Sequence, residues 1–132
     1  MQLSNFLRIV LKLDAASCLG IAALVLPTAA GLQDHLGIEQ AALSGAAASL
    51  IPTGLFMLWL GSRREAPVAL VWLAIIGNAG WAAGSLFAAA GMPGITSLGQ
   101  AAVAGQGLAV AGLAFAEWTG LRQVHGESLQ GA

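Results

Sequence analysis

The chain has 132 residues, 58% of them hydrophobic and 8% charged, with a formal net charge of −1. A soluble domain carries about 25% charged residues, and so short a chain cannot bury this much apolar surface away from water. Lipid is therefore the expected solvent, and the lack of any basic run excludes nucleic acid as a partner.

Four stretches meet the requirement of about 20 apolar residues to cross about 30 Å of hydrocarbon. The first covers residues 6–30, with Ser4 as its N-cap and its uninterrupted apolar part starting at Leu13. Pro27-Thr-Ala-Ala30 loosely matches a signal-cleavage site, but the apolar run is longer than a signal core, so it is read as a span. The second covers residues 40–60 and closes on Trp59. The third covers residues 67–90, with Pro67 suited to a first helical turn. The fourth covers residues 98–121 and ends at Trp118 and Arg122. Residues 1–122 thus form one four-span domain, followed by a polar tail of residues 123–132 that holds His125. Short connections make consecutive helices antiparallel neighbours, so an all-α, up-down-up-down four-helix integral membrane bundle is predicted.

Orientation follows from the cations. Arg8 and Lys12 flank the start of the first span, Arg63 and Arg64 follow the second, and Arg122 follows the fourth. The connections 31–40 and 91–97 contain neither Lys nor Arg. This positive-inside pattern predicts both termini in the cytoplasm and residence in the inner (cytoplasmic) membrane. Trp59, Trp72 and Trp118 fall at the same boundary, whereas Trp81 falls near mid-span.

Small residues are dense, with 18 glycines. Gly80 and Gly84 form a GxxxG pair extended by Ala88, Gly45 and Ser49 share that spacing, and Gly105 lies on a similar row of the fourth span. Such stripes let helices approach closely, inside the bundle or against another subunit. Trp59-Leu-Gly61-Ser-Arg63 is echoed by Trp118-Thr-Gly120-Leu-Arg122, as a duplicated helix pair would leave it.

Among polar groups at intermediate depth, Asn78 needs partners most, since an amide in hydrocarbon costs several kcal/mol when unpaired. Counting rises places Thr53 and Gln106 near it, with the Ala48 carbonyl freed by Pro52, and Trp81 beside them. Asp14, two residues past Lys12, and Glu117 are expected near the inner interface, in ion pairs with Lys12, Arg63 and Arg122, joined by Arg8 and Arg64. Asp14 is also the candidate for carrying a proton. His35 and Glu39 are four residues apart in the outer connection, too few ligands for a metal site, and Cys18 reads as a small core residue. No histidine lies within a span, and no nucleophile–base pair or phosphate loop occurs, so neither a cofactor nor catalysis is expected.

Ile51-Pro52-Thr53-Gly54, followed by Trp59, is similar to a short stretch of the small multidrug resistance exporters. That resemblance would imply a homodimeric, proton-coupled exporter of aromatic cations with Asp14 as its acid. The family's acid is a glutamate inside the binding chamber, and its stretch lies near the junction of spans two and three. Here Asp14 adjoins Lys12 and the stretch lies inside span two, so membership is not read from it. The expected function is an accessory, assembly or scaffolding subunit that packs, in the bilayer, against other membrane-protein subunits or itself. The alternative is a small proton-coupled transporter or carrier of a hydrophobic or cationic guest, using Asp14 with Trp81 and Asn78.

Overall fold

The computed structural model describes residues 1–130, apart from the side chains of His125 and residues 127–130. Its four helices are α1 (Asn5–Leu36), α2 (Gln40–Ser62), α3 (Val68–Gly91) and α4 (Ser97–Gln130). All four are long and apolar enough to cross a membrane. Ser4 caps α1, its hydroxyl accepting the Leu7 N–H at 3.1 Å. Helix α1 runs a turn and a half beyond its predicted end and stops at Gly37, which takes the left-handed φ of 68°. The helix end separates His35 from Glu39, so the two do not share a helical turn. Among the described residues no three His, Cys, Asp or Glu side chains converge as metal ligands. Helix α4 likewise passes Arg122 and continues through the polar segment to Gln130, while residues 131–132 of the expected tail lie outside the described residues.

Hydrogen bonds at the two ends fix the up-down-up-down course. At one end Leu3 N–H donates to the Arg64 carbonyl at 2.8 Å and Ala66 N–H to Met1 at 3.0 Å, joining the chain start to the α2–α3 connection. At the other, Thr96 N–H donates to the Leu36 carbonyl at 3.0 Å and its hydroxyl to His35 at 2.7 Å, joining the α1 end to the α3–α4 connection. This second clasp needs two glycines. A Cβ on Gly37 would overlap the Gly94 carbonyl oxygen, and one on Gly99 would overlap that of Leu36.

The helices form two tight hairpins, α1–α2 and α3–α4, joined along an α1–α4 seam, whereas α2 and α3 scarcely touch despite being consecutive. Around the bundle the order is α2, α1, α4, α3, with a gap where α2 and α3 would have met. Which glycines serve the packing differs from the small-residue rows expected to do so. Added Cβ atoms at Gly45, Gly80, Gly84 and Gly105 would meet nothing within 4 Å, and Ser49 is exposed and bonded only to its own helix, at Ala46. Ala88 is half-buried. The close approaches are instead made by Gly54 and Gly61 of α2 against α1, Gly107 of α4 against Ser85, and Gly120 of α4 against Phe6 and Leu7. Periodicity alone could not separate these rows, because every side of each helix is apolar.

The echoed Trp-x-Gly-x-Arg segments do the same job twice. Gly61 and Gly120 each let a helix end close against the start of α1. On the outside, the Arg63 guanidinium lies 5.4 Å from the Trp59 ring centre and that of Arg122 lies 4.7 Å from Trp118. The core beneath them is leucine-rich, with Leu7, Leu11, Leu60 and Leu121 fully buried together with Val71. A smaller cluster of Cys18, Ala22 and Leu50 lies further along.

Candidate functional site: a buried acid–amide layer beneath a lateral cleft

Polar side chains fill the level between those two apolar clusters. On α1 the inward row runs Leu7, Leu11, Asp14, Cys18 and Ala22; on α3 it runs Val71, Ala74, Asn78, Ala82 and Ser85; on α4 it runs Val110, Ala114, Glu117 and Leu121. Spacings of three and four hold throughout, so each polar residue occupies a position that packing requires to point inward. Asp14 and Glu117 are 0% exposed and Asn78 is 4% exposed.

Asn78 ties the layer together. Its Nδ2 donates one hydrogen to Asp14 Oδ2 and shares the other between Glu117 Oε1 and Oε2, at 3.1 and 3.2 Å. Cys18 Sγ donates to Asp14 Oδ1 at 3.6 Å. One amide bonding both carboxyls places the two acids side by side. Three helices are thereby joined at one point, and among the described residues no buried side-chain N or O is left unpartnered.

This arrangement corrects two expectations. The acids do not join the charged end of the bundle: their bonds run to Asn78 and Cys18 rather than to a cation. Asp14 is nine residues into α1, about 14 Å along its axis, and Asn78 ten residues into α3, about 15 Å. The nearby cations are spoken for. Arg8 Nε donates to the Gly61 carbonyl at 3.3 Å, and the Lys12 stem lies against the same glycine, carrying its ammonium away from the layer. Glu117 stands level with Asp14, since the Asn78 amide bonds both.

The second correction concerns the expected Asn78–Thr53–Gln106 group. Thr53 Oγ1 donates to its own helix, at Ser49 O (2.9 Å), the carbonyl four residues back that a helical threonine commonly bonds. Gln106 belongs to a separate network: its Oε1 accepts Trp81 Nε1–H at 2.9 Å, and its Nε2 donates to Ser85 Oγ at 2.7 Å and to Val103 O at 2.9 Å. Trp81 is thus held by α4, one turn of α3 away from Asn78.

Both networks open onto one cavity of about 390 Å³ in the α2–α3 gap. Phe56 and Thr53 line it from α2, Gly77, Asn78 and Trp81 from α3, with Ser17 and Cys18 of α1 at its floor. The walls are mainly apolar and two aromatic side chains, Phe56 and Trp81, face it, while Ser17, Thr53, Asn78 and Gln106 bring hydrogen-bonding groups from all four helices. Asn78 and Cys18 have a double role, since each lines the cavity and each bonds an acid behind it. A mainly apolar cavity with a few polar groups is of the kind that holds small organic molecules. Compared with known proteins, the chain matches no protein family, no curated protein sequence and no solved structure.

Proposed function

We propose that the chain spans a lipid bilayer four times with both termini on the cytoplasmic side, and that it binds and carries a small hydrophobic or cationic molecule that enters sideways from the lipid through the α2–α3 cleft. The observation that carries this reading is the cleft itself: an apolar cavity of about 390 Å³ opening between two helices that scarcely touch, with Asn78 and Trp81 on its wall. An accessory or scaffolding role is the second reading, supported by the Gly80 and Gly84 row, which faces open space where a partner helix could approach closely. The lopsided placement of Arg8, Lys12, Arg63, Arg64 and Arg122 supports the orientation. A cysteine-reactive, membrane-impermeant label on an added terminal cysteine should react only from the cytoplasmic face; labelling from the outside would overturn the topology.

Gly77 provides the test of the cleft. It lines the cavity, yet an added Cβ there meets nothing within 4 Å, so a larger side chain fills the space without disturbing the packing. Gly77→Phe in the purified protein should weaken saturable binding of N-phenyl-1-naphthylamine at least about tenfold while unfolding stays within about 1 kcal/mol of the parent. Unchanged binding in a folded Gly77→Phe protein would remove the cleft as the binding site.

A further inference from the structure

We propose that the preferred guest is an uncharged apolar molecule carrying a hydroxyl group, and that the cleft selects it as a hydrogen-bond donor through the side-chain oxygen of Asn78. This rests on the cleft reading above and deepens it, assigning the polar chemistry of the guest.

The polar atoms on the lining divide unequally into donors and acceptors. Among the described residues, every side-chain donor there is already committed within the chain. Asn78 Nδ2 gives both hydrogens to Asp14 and Glu117, and Cys18 Sγ gives its own to Asp14. Ser17 Oγ donates to the Asp14 carbonyl at 2.8 Å, and Thr53 Oγ1 to that of Ser49. Trp81 Nε1 donates to Gln106, whose Nε2 turns its two hydrogens to Ser85 Oγ and the Val103 carbonyl. What is left for a guest is oxygen with unfilled acceptor capacity. Foremost is Asn78 Oδ1. The amide is planar, so with both N–H hydrogens turned to the acids its oxygen is turned away from them. That oxygen accepts no hydrogen bond among the described residues, where no enclosed side-chain oxygen lacks a partner. It is therefore the atom through which Asn78, only 4% exposed, reaches the cavity.

Charge narrows the class of donor. Neither Asp14 nor Glu117 lines the cavity, both standing behind Asn78 and Cys18, and no Lys or Arg lines it either. A cation entering these mainly apolar walls would give up its hydration without meeting a charged partner, a cost that a neutral donor does not incur. A neutral guest with no donor has the opposite fault. It would cover Asn78 Oδ1 and leave a buried acceptor without a bond. The hydroxyl guest avoids both, its O–H pairing with that oxygen while its body rests against Phe56 and Trp81. Sites arranged to bond one group reject the analogue that lacks it more strongly than apolar pockets reject a missing methylene.

The experiment uses the full chain in lipid nanodiscs with probes of one shape. These are 2-naphthalenemethanol, its isomer 2-methoxynaphthalene, which accepts but cannot donate, and 2-ethylnaphthalene, which does neither. Empty nanodiscs correct for partition into lipid. The alcohol should bind about tenfold more tightly than the ether or the hydrocarbon, and 2-naphthylmethylammonium should bind more weakly than the alcohol. Gly77→Phe should weaken binding of all three neutral probes, which locates them in the cleft. The triple variant Asn78→Leu, Asp14→Leu and Glu117→Leu should bring the alcohol to the affinity of the ether, whose retained binding shows that the cleft is folded. Three results would overturn the proposal while leaving the cleft reading intact: an alcohol bound no more tightly than the ether, an ammonium bound as tightly as the alcohol, or an alcohol preference that survives in the triple variant. Failure of every probe to bind, or binding insensitive to Gly77→Phe, would overturn both.

Discussion

Replacing Asn78 with leucine should destabilise the protein by about 2–4 kcal/mol, more than replacing the whole polar layer. The amide is the shared donor to two fully buried carboxyls, so its removal leaves both acids in the interior without the bonds that offset their desolvation. The triple variant Asn78→Leu, Asp14→Leu and Glu117→Leu removes the need along with the donor, and should recover to within about 1–2 kcal/mol of the parent. Unfolding in mild detergent, followed by helical signal, measures both. A triple variant as unstable as the single one would show that the layer holds the helices together. A recovered triple variant would mean that a bundle stable without its acids keeps them for another task.

The second large effect should come from the glycine clasp at the opposite end. Gly37 needs its left-handed φ of 68°, which costs a non-glycine residue about 1–2 kcal/mol, and its missing side chain makes room for the Gly94 carbonyl. Adding overlap with backbone that cannot swing aside, Gly37→Ala should lose about 2–4 kcal/mol in total. Gly99→Ala, which has the overlap but not the strained φ, should lose about 1–3 kcal/mol. Gly80→Ala and Gly84→Ala serve as controls. Both meet open space and remove a poor helix former, so each should be neutral or stabilising by up to about 1 kcal/mol. Equal losses at all four positions would mean that the outward row is in fact packed.

The four helices were legible from apolar length alone, and Ser4 announced the first of them by its capping chemistry. The centre of the molecule was legible only in part. Asp14, Asn78 and Glu117 each stand out as polar residues in apolar runs, and each sits on a three-four row, but rows exist on every side when every side is apolar. Depth was the missing quantity. Counting from Lys12 and Arg122 assumed that a charged residue marks the boundary, whereas Lys12 lies along the space left by Gly61 and α4 carries on past Arg122. The packing glycines were hidden for a related reason: Gly54, Gly61, Gly107 and Gly120 form no GxxxG pair, and the pair that exists, Gly80 with Gly84, faces outward.

The α1–α4 seam behaves as the spine of a book whose covers are α2 and α3. Opening those covers turns each hairpin as a rigid leaf and sacrifices little contact on the open side, since little exists there. On the proposed cleft reading, the width of the molecule admitted is governed by the stiffness of the spine rather than by a fixed wall, and the leaves are stitched by the Asn78–Asp14 bond midway and by the Thr96 bonds to Leu36 and His35 at one end. On that reading, a bundle left open along one margin tolerates guests of a range of thicknesses.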